Sequence, residues 1–155
     1  KVLDLGSYPG GWSQVSSKIV DSGKILSLDL KKMERIDNVT FYQCDFLDEK
    51  SKTTINNFFK EKIDVIMSDM AADTTGNKSL DCIRTNQLCT NVIQFSVEHL
   101  KPNGVVISKL FMGEDFIEIK KLAKSTFKEV NFFKPESSRN ESKETYLHCA
   151  VLKTL

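Results

Sequence analysis

Seven short runs of aliphatic and β-branched residues, most of them alternating with amphipathic stretches of helix length, constrain this chain more than any other feature. The strand-like runs are Val2–Leu5, Lys24–Asp29, Val39–Gln43, Val65–Met70, Val105–Lys109, Glu129–Phe133 and Thr145–Leu152. Helical patterning falls on Gly11–Val20, Ser51–Lys60, Ser79–Leu100 and Glu114–Ser125. Near-continuous apolar strands such as Val105-Val106-Ile107 predict a sheet covered by helices on both faces. Lys101-Pro102-Asn103-Gly104 predicts a helix stop and a turn before the next strand. The order predicts an α/β, doubly wound sheet whose ligand lies beyond the C-terminal strand ends at the switch point.

Several classes are excluded. Charged residues make up 28% of the 155 and the net charge is +1, so an indiscriminate polyanion binder is disfavoured while a local basic patch is not. No apolar run reaches the ~18 residues of a membrane span. Cys44, Cys82, Cys89 and Cys149 form no CxxC pair and the histidines do not cluster, which predicts free thiols and no metal site. The chain starts at Lys1 and enters a strand at once, so the reading expects a single domain over 1–155 that lacks an N-terminal extension.

Chemistry gathers at the predicted strand ends. The first strand runs into Gly6-Ser7-Tyr8-Pro9-Gly10-Gly11-Trp12-Ser13, where glycines let the backbone turn and approach a ligand. The spacing is neither GxGxxG nor GxxxxGK[ST]. The second strand ends at Asp29, placed to accept hydrogen bonds from both hydroxyls of an adenosine ribose. After the third strand comes Asp45, which can accept from an adenine amino group. Either aspartate alone would be read as a turn or cap residue. The three together describe a nucleoside site without phosphate-binding equipment, which suits S-adenosylmethionine. Asp69 closes the fourth strand and Lys109 the fifth. The fourth strand end lacks the [DNS]PP[YF] pattern of amino-group methyltransferases, and the chain contains no Pro-Cys nucleophile of the cytosine-C5 type.

The run Val2-Leu3-Asp4-Leu5-Gly6-Ser7-Tyr8-Pro9-Gly10-Gly11-Trp12-Ser13-Gln14 resembles the cofactor motif of the FtsJ/RrmJ (RlmE) family of ribose 2′-O-methyltransferases. So do Ser68-Asp69-Met70-Ala71, Lys109–Glu114, and Lys134-Pro135-Glu136-Ser137-Ser138-Arg139 with Glu144 and Tyr146. The resemblance implies a Rossmann-like methyltransferase fold whose mostly parallel seven-stranded sheet carries an antiparallel last strand. It implies S-adenosyl-L-methionine as cofactor, with Gly6, Gly10, Trp12, Asp29, Asp45 and Asp69 as contacts. Of the family's Lys-Asp-Lys-Glu tetrad it matches Asp69, Lys109 and Glu144; the first lysine lies upstream of the glycine motif, where Lys1 is too close to the first strand to serve. Two departures stand out. Ser7-Tyr8 replaces a pair of alanines, and Ala71-Ala72-Asp73 replaces Ala-Pro-Asn.

The activity implied is 2′-O-ribose methylation of RNA, at a uridine of 23S-type ribosomal RNA in the large subunit, by a cytoplasmic monomer or an organellar one if a transit peptide precedes it. A tRNA or cap methyltransferase and a non-catalytic ribosome-binding paralogue remain as alternatives. Lys109 would serve either as a base, if its proton affinity falls, or as a cation facing the developing oxyanion. Lys134, Arg139 and Lys143 are the expected RNA contacts; Lys31, Lys32 and Arg35 form a second basic group.

Overall fold

The structure is a computed structural model that describes residues 1–154. Its elements run β1 (Val2–Leu5), α1 (Gly11–Ile19), β2 (Ile25–Asp29), β3 (Val39–Gln43), α2 (Glu49–Phe59), β4 (Ile63–Ser68), α3 (Lys78–His99), β5 (Leu100–Phe111), α4 (Phe116–Thr126), β6 (Phe127–Phe133) and β7 (Glu144–Leu152). They build one seven-stranded sheet in the order β3-β2-β1-β4-β5-β7-β6. Strands β1 to β5 pair in parallel, whereas β7 is antiparallel to both β5 and β6. The expected doubly wound, mostly parallel sheet is therefore present, with β7 as its antiparallel strand.

The order of strands decides where the helices go. Right-handed crossovers send the chain to one face when it steps from β1 to β2, and to the other when it steps from β3 to β4 and onward. The sheet's reversal consequently lies between β1 and β4, and the crevice opens there. Most of the apolar core sits on the face of α2, α3 and α4, with Phe59, Val92, Ile93, Ala123 and Phe127 against Leu3, Ile66 and Val106. Phe46 meets Phe95 edge-on at 5.3 Å. α3 is started by Asn77, whose side chain accepts from the Leu80 N–H at 3.1 Å, with Asp81 in its first turn and His99 in its last.

One expectation needs correction. The Lys101–Gly104 stretch does stop α3, but it belongs to β5, which starts at Leu100. The ladder pairs Ile63 with Leu100 and then Val65 with Val105, so β5 carries extra residues there and bulges out of register. A β-bulge uses the same Pro and Gly residues that mark a turn, which is why the sequence alone reads as one.

Candidate active site

Three strand ends and one glycine turn line a cleft of about 560 Å³, within the range of small-molecule sites. Gly6 opens the turn at φ 71°, and a Cβ there would lie 2.7 Å from Met70 Cγ and 2.9 Å from its backbone. No side chain fits, so the first and fourth strand ends touch through bare backbone. Gly10 holds φ 120° at the start of α1, and its missing Cβ would meet Ile36 Cδ1 at 2.9 Å. The amides of Gly6 and Ser7 donate to the Leu28 carbonyl, and that of Asp69 donates to Leu5. These bonds tie the turn to both neighbouring strands.

Asp29 stands at the end of β2 with one carboxylate oxygen accepting from Tyr8 N–H (2.9 Å) and the other from Lys31 N–H (2.8 Å). Each oxygen retains a lone pair for the cleft. Asp45 lines the same cleft and accepts from Leu47 N–H at 2.9 Å. Tyr8 also lines it, with the Lys31 ammonium 5.4 Å from its ring centre. The residue that departs from the family pattern is therefore part of the cleft wall.

Beneath the turn lies a polar core. Asp4 and Ser27 are fully buried, and Ser13 reaches both, with its hydroxyl 2.6 Å from Asp4 Oδ2 and 2.6 Å from Ser27 Oγ. Asp4 Oδ1 has no partner among the described residues, and burial pushes the carboxyl up to about 6 despite the bond from Ser13.

Next to the cleft, the sheet register assembles a second group. Lys109 lies opposite Tyr146 on β7, which in turn lies opposite Phe133 on β6. Directly paired residues share a face. Glu144 is two residues from Tyr146 and joins them there. Lys109 Nζ sits 3.2 Å from Asp69 Oδ1 and 3.4 Å from Glu144 Oε2. Tyr146 donates its hydroxyl to the same Asp69 oxygen at 2.7 Å. Burial first, then that hydrogen bond, raise the phenol far above its ordinary range, so it remains a donor. Asp69 belongs to the cleft and to this cluster, and is the hinge between them.

Not every expected residue lies in the cleft. Gly6, Asp29, Asp45 and Asp69 line it; Gly10 and Trp12 do not. Trp12 instead packs on Tyr146, with ring centres 5.6 Å apart and planes at 45°. Lys134 turns its ammonium onto the carbonyls of Asn140 (3.1 Å) and Ser142 (2.6 Å), pinning the loop that leads to Glu144. Arg139 and Lys143 are exposed on that loop. The Lys1 side chain pairs with Glu61 at the opposite end of the strands. Sequence reasoning missed Asn86, which is buried on α3 and clamps the Phe111 backbone and Asp115, and Thr85, which accepts from Ala72 N–H. Their only signal was a polar residue recurring on the inward face of a helix. Among the described residues no helix is long and apolar enough to cross a membrane, and no group of His, Cys, Asp or Glu could hold a metal ion.

Comparisons with known proteins bear on the same elements. The model of the FtsJ-like methyltransferase family matches residues 1–152. A protein of Pelagibacter ubique named Ribosomal RNA large subunit methyltransferase E is 48% identical over 152 residues, 98% of this chain and 75% of that one. Its namesake in Rickettsia akari is 45% identical, over 95% of this chain and 67% of that one. A solved structure from Plasmodium falciparum, titled as a ribosomal RNA methyltransferase, superposes with a TM-score of 0.84 at 30% identity, covering 97% of this chain and 85% of that one. Human methyltransferase-like protein 13, solved with SAH, shares the fold at a TM-score of 0.72 and 17% identity, over 97% of this chain and 71% of its own. A cleft floored by a glycine turn, with carboxylates at successive strand ends and a Lys–Asp–Glu cluster at its rim, sits on the fold that such a match requires: the chain belongs to the FtsJ-like methyltransferase family.

Proposed function

We propose that this chain methylates a ribose 2′-hydroxyl of large-subunit ribosomal RNA, at a uridine of the 23S type, with S-adenosylmethionine as donor. The observation that carries the reading is the position of Lys109, held between Asp69 and Glu144 at the rim of a nucleoside-sized cleft. The names of the relatives supply the RNA class. The reading includes a monomer acting on cytoplasmic ribosomal RNA.

The cleft's residues fit the cofactor. Gly6 lines the cleft where its turn packs on Met70, and free lone pairs on Asp29 and Asp45 suit a ribose diol and an adenine amino group. When bound, the cofactor supplies an electrophilic methyl group on a sulfonium. The chain's own residues must then hold the acceptor in line with it, and positioning of this kind supplies much of the acceleration of a displacement. Lys109 places its ammonium beside the point where negative charge grows on the acceptor oxygen and acts there electrostatically. Two carboxylates within 3.4 Å keep that cation in place. The carboxylates of Asp69 and Glu144 stand beside it and can take up the acceptor's proton. Tyr146, through Asp69, fixes the whole cluster. Arg139 and Lys143 are the residues proposed to meet RNA phosphates, and Lys134 shapes the loop that presents them.

The test is transfer of labelled methyl from S-adenosylmethionine to large ribosomal subunits isolated from cells lacking the activity, followed by mapping of alkali-resistant ribose positions. Label at one 2′-O position is the expected result. Label on a base, on tRNA alone or nowhere would overturn the reading.

A further inference from the structure

The aromatic rings beside the cluster form a column. Trp12 packs on Tyr146, and Tyr146 stacks on Phe133 at 5.7 Å with planes 22° apart. The middle ring is covered and Trp12 is partly buried: Tyr146 is 8% exposed, whereas Phe133, on the outermost strand of the sheet, is 44% exposed. Its neighbour Phe132 points to the opposite face and is covered by Phe116 of α4 at 4.8 Å. The column therefore ends in an open ring at the sheet edge, two strands from Lys109 along one row. That is about 10 Å of lateral spacing.

We infer that Phe133 is a stacking platform for the base of a nucleotide flanking the methyl acceptor, continuing the Trp12–Tyr146–Phe133 column into the RNA. The inference rests on the RNA reading above. Unpaired bases are the features of RNA that proteins read by stacking on aromatic rings, and every base offers such a face. An acceptor ribose at Lys109 leaves its own base short of the far side of Phe133, while the next nucleotide reaches it. Charge complements the ring on the side from which the strand would enter. Lys134 follows Phe133 directly, and the loop that Lys134 pins carries Arg139 and Lys143. A buried aromatic would make the opposite arrangement, with its edge filled by apolar side chains.

The platform predicts a binding subsite without chemistry, so its readout is affinity for RNA. Single-stranded RNA spanning the methylated position mapped above is prepared with 2-aminopurine at each position flanking the acceptor, and binding is followed by its fluorescence. The parent should quench one flanking position strongly. Phe133→Ala should abolish that quenching and weaken binding by roughly 5- to 150-fold, the equivalent of one base stack, while calorimetric affinity for S-adenosylhomocysteine stays at the parental value. Phe133→Trp should keep both quenching and affinity. An abasic substitution at the quenched position should weaken the parent and leave Phe133→Ala unaffected. Parental quenching and affinity in Phe133→Ala, or additive losses for the variant and the abasic RNA, would overturn the platform. Quenching by a parent that transfers no methyl group would overturn the methylation reading and leave the platform standing. A parent that binds none of these RNAs would overturn the platform, while the methylation reading stands or falls on the transfer assay with large subunits.

Discussion

Replacing Asp4 by asparagine should remove a pH dependence that the fold carries in its first strand. The carboxyl is fully buried, one oxygen has no partner, and burial lifts its pKa from 3.8 to about 6. At ~1.36 kcal/mol per unit, the ionised side chain costs the folded state about 3 kcal/mol once the pH exceeds 6. The folded pKa lies above the unfolded one, so the contribution is fully present below pH 3.8 and is lost as the pH rises through 6. The asparagine adds its own fixed penalties, a weaker bond to Ser13 and a buried amide, and these are the same at every pH. The observable is therefore the difference in unfolding free energy between variant and parent, measured by urea titration in steps from pH 4 to pH 8. It should shift in favour of Asp4→Asn by about 2.5 kcal/mol between pH 4 and pH 8, equivalent to roughly 5–10 °C in Tm for a chain of this size. Titrating groups not coupled to Asp4 cancel in that difference; Asp69 and Asp29, which repel its charge, add only to the same term. A difference that stays flat across the range would show that Asp4 ionises normally in the fold, and the argument from its orphaned oxygen would fail.

Three further outcomes are expected. Asp29→Ala should weaken S-adenosylhomocysteine binding by roughly 1.5–3 kcal/mol, the worth of hydrogen bonds to a charged group, and equal affinities by calorimetry would remove Asp29 from the site. Lys109→Ala should lower single-turnover methyl transfer by at least ~10²-fold with cofactor affinity unchanged; a near-parental rate would reduce Lys109 to a structural residue of β5. Tyr146→Phe deletes only the hydroxyl on Asp69 and should slow turnover by about tenfold, again without altering calorimetric cofactor affinity; an unchanged rate would show that Asp69 holds its place without it.

What the sequence revealed depended on whether a residue's task was set by its own strand or by a distant one. Gly6, Asp29, Asp45 and Asp69 sit at successive strand ends, and a parallel sheet gathers such positions without further information. Lys109 and Glu144 were legible through resemblance, and the β5–β7 register then placed them on one face. Lys134 was read as a basic contact for RNA, but its ammonium is turned onto two carbonyls, and a charge pattern carries no record of side-chain direction. Trp12 shares its motif with the glycines yet packs on β7, a strand more than a hundred residues away. Asp4 drew no reading from the sequence, because the partners that accompany its burial, Ser13 and Ser27, arrive from two other elements.

Arg84, Thr85 and Asn86 occupy one turn of α3, and each holds a different part of the reaction's surroundings. Arg84 donates to the Asp73 carbonyl and Thr85 accepts from Ala72, fixing the loop that follows Asp69. Asn86 grips the Phe111 backbone through both ends of its amide, fixing the end of the strand that carries Lys109. One helical turn thus serves as a common chassis for the two strand ends that must keep their alignment. A thermal displacement of α3 carries both loops in the same direction, and their relative spacing survives it. Alignment error is confined to motion within a single turn of helix, among the stiffest units a protein has.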